Sequence, residues 1–265
     1  MFRRPGLKKP DYMKSFIGSK HLCYLLIILM IGATTAFGQD STKQNKPDTT
    51  ADNFDIRTTS FYLPQSLPKL KYYQSVSILY VILPKDWTLD VINAPMLSYA
   101  GKFTLPAGFN VQASLVTLFI SYRLLAGPFW NYSHDHYHIG LGYQVAFNYG
   151  FLTEFGYNTH LTIFEQQPSL TLGYSFRKVA VTLRGDLYWT SNITESQGGH
   201  TLPFSTSFLN GTSLSSTVEQ RLWKNRIMSF GVKFYYVRYH IIAWPAFPVN
   251  QYRYWVPEFQ LGLSF

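Results

Sequence analysis

The chain has 265 residues, of which 46% are hydrophobic, 18% aromatic and only 14% charged, with 18 Gly, 14 Pro, a single Cys and a formal net charge of +9. Soluble domains carry about 25% charged residues, so few side chains are left to coat a water-facing surface, while the apolar content excludes a disordered chain and one Cys excludes a disulfide scaffold. A mean hydropathy of −0.05, with one long apolar run, excludes a bundle of membrane helices.

That run, Leu22–Ile31, follows Arg3, Arg4, Lys8, Lys9, Lys14 and Lys20 and precedes Ala36-Phe37-Gly38. A basic stretch, a short apolar core and small residues at −3 and −1 predict a signal peptide over 1–38, cleaved before Gln39. The run is shorter than the ~20 apolar residues of a membrane-spanning helix. Cleavage removes six bases and Asp11, leaving 17 bases, 13 acids and a net charge of +4. The basic character therefore belongs to the signal, and a nucleic-acid partner loses its support. The remaining chain lacks Cys, as suits an oxidising compartment.

Residues 39–53 are polar and read as a flexible leader. From Phe54 to the C-terminus the pattern is uniform and predicts one domain. The expected strands are 54–63, 72–83, 87–94, 111–124, 136–152, 169–177, 179–190, 212–222, 227–237 and 251–265. In 136–152 the residues Tyr137, Ile139, Leu141, Tyr143, Val145, Phe147, Tyr149 and Phe151 alternate with His138, Gly140, Gly142, Gln144, Ala146, Asn148 and Gly150. Alternation at period two is a strand signal. Its length exceeds the 5–6 residues of globular strands and the 9–11 of a membrane-crossing one.

The last residues, EFQLGLSF, place Phe259, Leu261, Leu263 and Phe265 on one face. This resembles the C-terminal insertion signal of outer-membrane barrels, and residues 54–265 as a whole resemble a small β-barrel of the Gram-negative outer membrane, from families that are uncharacterised. The resemblance implies an all-β, transmembrane, up-and-down antiparallel barrel of about ten strands, with eight as the nearest alternative. It also implies outer-membrane lipid as surroundings, barrel-assembly machinery as a partner during insertion, and a monomer. It carries no catalytic, cofactor-binding or metal-binding residues across.

With the C-terminus placed in the periplasm, strand directions follow by alternation. Turns 84–86, 125–135, 177–178 and 223–226 are expected on the periplasmic side; loops 95–110, 153–165, 191–205 and 243–250 are expected outside. The same register points Asp90, Arg123, Arg184, Asp186, Glu219, Arg221, Lys233 and Glu258 into the lumen. Four acids and four bases permit full pairing, which buried charges require. The expected role is structural, or passage of small solutes through an interior filled by this ionic network. Should strands 227–242 and 251–265 pair with positions summing to 491, Lys233 faces Glu258.

Three other readings follow from local features. His134, His136 and His138 would share a strand face and could hold a transition metal. Ser191, His200 and His240, with Asp186 to orient an imidazole, would suit an outer-leaflet lipid-modifying enzyme of the lipid A deacylase type, although no extended motif surrounds Ser191. The Trp and Tyr residues would also suit a secreted glycan-binding β-sandwich.

Overall fold

The structure, a computed structural model, describes residues 54–67, 70–88, 92–152, 158–197, 200–204, 207–223, 226–241 and 252–265. The expected signal, leader and Asp90 lie outside them. The strands are β1 (Lys71–Leu83), β2 (Ile92–Thr104), β3 (Phe109–Leu118), β4 (Ser121–His134), β5 (Tyr137–Leu152), β6 (Thr159–Ser175), β7 (Val179–Gln197), β8 (His200–Phe204), β9 (Phe208–Trp223), β10 (Arg226–Val237) and β11 (Tyr254–Ser264). Every neighbouring pair is antiparallel. β1 pairs with β11 and β6 with β7, so the sheet closes into a ten-stranded barrel, with β8 folded back on the upper part of β7. Closure removes the open edges of the sheet and rules out the two-sheet sandwich.

The alternation expected of 136–152 is the burial pattern of β5: His138, Gly140, Gln144, Ala146, Asn148 and Gly150 face inward and are buried. Tyr137, Ile139, Leu141, Tyr143, Val145 and Phe147 face outward and are exposed. The same inversion runs round much of the barrel, with large apolar residues on the outer surface and polar residues on the inner one, except at the end opposite the C-terminus, where Leu79, Val81, Met96, Leu161 and Ile163 make the inner face apolar.

Several boundaries differ from expectation, each for a local reason. Segment 54–63 is not a strand. Asp55 caps a single 3-10 turn, Ile56–Thr58, after which the chain runs through the lumen. Ile56, Ser60, Phe61, Leu63 and Gln65 are all buried, so the segment has no outward face, and Pro64 has no N–H for a ladder. The single strand expected over 111–124 is the hairpin β3–β4, which turns at Phe119-Ile120 with Phe119 at φ 38°. Such turns favour Gly or Asn, and a Phe there conceals the turn from the sequence. The connection expected at 125–135 is most of β4, and the loop expected at 95–110 is most of β2 with the turn at Pro106–Gly108. Turn 84–86 consequently lies at the end opposite the C-terminus. β6 begins at Thr159 and β7 continues to Gln197, so the expected loops 153–165 and 191–205 are partly strand. The expected count of ten holds because a strand wrongly assigned at 54–63 replaces one overlooked at 119–120.

Candidate functional site

The interior is built in three tiers. At the end of the barrel carrying the C-terminus, residues 54–66 form a plug. Glu219 of β9 accepts from the backbone N–H groups of Phe61 (2.8 Å), Tyr62 (3.1 Å) and Leu63 (3.2 Å), and from the Ser60 hydroxyl. Lys102 of β2 donates to the carbonyls of Ser60 (3.1 Å) and Phe61 (2.5 Å). An anion thus holds the plug's donors while a cation holds its acceptors. Buried backbone groups need such partners. Ile56 and Leu63 pack against Ala180 and Ile227.

The glycines of β5 and β6 provide the plug's bed. A Cβ on Gly140 would lie 2.7 Å from Pro64, and one on Gly173 would lie 2.6 Å from Leu63. The small, polar face seen in the sequence of 136–152 is therefore in part the surface on which the plug rests.

At the opposite end, Arg238–Ile241 turns inward over the mouth. Asn210, the extra residue of a β9 bulge, accepts from the N–H groups of Arg238 (3.1 Å) and Tyr239 (3.0 Å) and donates to the Tyr239 carbonyl (3.1 Å). Tyr239 and Ile241 join an apolar cluster with Leu79, Val81, Met96 and Ile163. Burial, reinforced by the cations Arg123 and Lys233, holds the His240 imidazole down to about 3.

Between these closures lies the ionic tier. Asp186 accepts from Arg184 Nε (2.7 Å), Lys233 Nζ (3.1 Å) and Ser213 Oγ (3.1 Å). Glu165 meets Arg123 (3.3 Å), Asn148 (3.1 Å) and Asn210 (3.2 Å). Arg123 and Arg184 also donate to Gln167 (3.1 Å) and Gln144 (2.7 Å). β10 and β11 pair with positions summing to 491, so Lys233 stands opposite Glu258, yet its ion pair is with Asp186. Glu258 accepts from the Tyr235 hydroxyl at 3.1 Å. Arg221 lies nearer the plug, its guanidinium 4.4 Å from the Phe54 ring. A chamber of about 200 Å³ remains, with Phe61, Tyr62 and Pro64 below it and His240 and Ile241 above.

Of the expected lumen residues, Arg123, Arg184, Asp186 and Lys233 come together; Glu258 lies beside them, Glu219 serves the plug, and Arg221 is separate. Lys102 and Glu165 are central to the interior but fall in segments that read as loops in the sequence. Continuing the period-two register through 95–110 and 159–165 places both inside.

The other constellations are dispersed. His134 and His138 sit on two strands of a hairpin that turns at Asp135-His136. His134 is exposed, whereas His138 is buried with both ring nitrogens hydrogen-bonded, to Ser133 (2.9 Å) and Ser175 (3.0 Å). Among the described residues no His, Cys, Asp and Glu group is arranged to hold a metal. Ser191 accepts from the outward-facing Gln166 (3.0 Å), whereas His240 faces the chamber. The wall separates this nucleophile from this base. The side chain of His200 lies outside the described residues. At the C-terminus, Leu261, Leu263 and Phe265 are exposed on the outer surface and Phe259 shares their face; Arg226 stacks 4.7 Å from the Phe265 ring.

Fold and interior together define a closed ten-stranded antiparallel barrel with a self-supplied plug. No family model matches the chain, and no curated protein does. Solved structures similar to it include Neisserial surface protein A, at 15% identity and a TM-score of 0.34, covering 74% of this chain and 97% of that one. The translocator domain of the autotransporter NalP from Neisseria meningitidis is similar at 9% identity and TM-score 0.37, covering 79% and 92%. The outer-membrane expressed OmpT of Vibrio cholerae is similar at 8% identity and TM-score 0.20, covering 77% and 99%.

Proposed function

We propose that the protein is an integral outer-membrane barrel, occluded by its own residues 54–66, with a structural role or a gated one in passing small solutes. The outer surface supports membrane placement. Aromatics such as Tyr72, Tyr132 and Tyr137 cluster towards the C-terminal end, and Tyr80, Phe147, Trp189 and Trp255 towards the other. Aliphatics such as Ile78, Leu141, Leu170 and Leu261 occupy the zone between. Ten residues separate Tyr137 from Phe147, about 34 Å along a strand, or about 26 Å along the axis at a ~40° tilt, against the ~25 Å apolar band of such barrels. A soluble monomer rarely exposes an apolar patch larger than a few hundred Å².

In this reading outer-membrane lipid surrounds a monomer, the turns at 105–108, 135–136 and 176–178 face the periplasm with the C-terminus, and Phe259, Leu261, Leu263 and Phe265 form the segment that assembly machinery recognises. The ionic network of Arg123, Arg184, Asp186, Lys233 and Glu258 braces the wall.

The clamp of Glu219 and Lys102 on the plug carries the occlusion. In planar bilayers the purified protein is expected to insert silently, and deletion of residues 54–66 to produce conductance steps. Steady conductance by the intact protein would refute occlusion; recovery from the soluble fraction without detergent would refute the membrane assignment.

A further inference from the structure

We infer that the chamber in the middle of the barrel is a binding site for a small, hydroxyl-rich carboxylate. Arg123, Arg184 and Lys233 line it, with side chains 14%, 23% and 21% exposed; their partners Glu165 and Asp186 lie behind them at 3% and 0%. Bases therefore form the reachable surface and acids its backing. Among the described residues Glu258 is the one acid in the lining, only 7% exposed, engaged by Tyr235 and opposite Lys233.

The sign of the reachable surface selects an anion. Arg123, Arg184 and Lys233 are matched one for one by Glu165, Asp186 and Glu258, so every negative charge on a guest is added to a neutral network, and a guest with one charge is less costly to bury than a guest with several. Two guanidiniums, each already anchored by one acid, can present remaining N–H groups to a planar carboxylate, for which their fork geometry is suited.

The rest of the lining suits hydroxyls. Ser98, Gln112, Ser114, Gln144, Gln167 and Ser215 line the chamber, and their amide and hydroxyl groups can both donate to and accept from a guest that bears several hydroxyls. At about 200 Å³ the space lies below the ~300–1,000 Å³ of sites for drug-sized ligands, which limits the guest to about the size of a monosaccharide acid.

Glucuronate, glucose and glucosamine share a ring and differ in charge, and they serve as probes. After prolonged equilibrium dialysis against the detergent-solubilised full chain, glucuronate is expected to bind saturably at one site. Glucose should bind at least about tenfold more weakly for want of charge-assisted hydrogen bonds, and glucosamine more weakly still. Arg184→Lys keeps a cation beside Asp186 but loses the fork, and is expected to weaken glucuronate about tenfold. Ser114→Leu, which lines the chamber without belonging to the ionic network, is expected to abolish binding while strand content by circular dichroism is unchanged. Absence of saturable binding at roughly ten millimolar, equal binding of the three sugars, or full binding to a folded Ser114→Leu protein would overturn the proposal. Binding of this kind requires the barrel interior and not membrane placement, which the fractionation and bilayer experiments address separately.

Discussion

Replacing Glu219 with alanine removes the acceptor for three backbone N–H groups and one hydroxyl of the plug. Hydrogen bonds to a charged group contribute ~1.5–3 kcal/mol each, but groups sharing one acceptor are not additive. Glu219 and Lys102 grip the same two residues, Ser60 and Phe61. We therefore expect plug docking to weaken by about 4 kcal/mol, or roughly a thousandfold in the closed-to-open ratio. The apolar anchors Ile56, Phe61 and Leu63, at ~1.5–3 kcal/mol each, would keep the segment near its bed, so the expected phenotype is flickering conductance in planar bilayers and not a permanent pore. Cys23 is the single cysteine, so Ser60→Cys places one thiol in the barrel at a position that is 0% exposed. A membrane-impermeant maleimide should label that thiol far faster when Glu219→Ala is combined with it than when Glu219 is intact. Lys102→Met should act in the same direction, with the double variant falling short of the sum. A folded Glu219→Ala barrel that stays silent and unlabelled would show that the clamp does not hold the plug.

Three further outcomes are expected. Leu141→Arg, in the middle of the outer surface, should destabilise the bilayer-inserted protein by ~2–4 kcal/mol, whereas Tyr137→Arg in the aromatic band at the C-terminal end should cost about 0–1 kcal/mol; equal urea midpoints for refolding into vesicles would contradict the assigned orientation. Asp186→Asn leaves Arg184 and Lys233 without their shared acid and should lower stability by about 3–5 kcal/mol; an Asp186→Leu, Lys233→Met double variant should recover part of this, and a neutral single variant would remove the network's structural role. The third concerns pH. His240 is held to about 3, below the ordinary ~6.5 of an unfolded chain, so the unfolded state binds the proton first as pH falls. Its contribution to stability is intact above ~6.5 and is lost progressively down to about 3. His240→Leu should flatten the urea midpoint between about pH 6.5 and about pH 4; an unchanged slope would place the pH sensitivity elsewhere.

Faces are legible in the sequence wherever alternation is unbroken, and partners are not. Register places Lys233 opposite Glu258, yet its ion pair is with Asp186 because proximity across the barrel wall depends on two further strands, β7 and β9. The metal reading relies on closeness along the chain, which the His134–His138 hairpin dissolves; the enzyme reading relies on a shared end of the barrel, where Ser191 lies on the outer surface and His240 faces the chamber.

What the amino-acid sequence determines alone is what period-two patterning encodes locally: extended strands longer than a globular fold needs, bulky residues on one side, small and polar ones on the other. The tertiary structure decides where the pattern is silent. Segment 54–63 looks like a strand until Glu219, more than 150 positions away, is seen to take its backbone donors, and the glycines of β5 look merely small until Pro64 rests on them. Alternation is a property of neighbouring residues, whereas the plug, its clamp and the charged chamber are made by residues that only closure of the barrel brings within bonding distance.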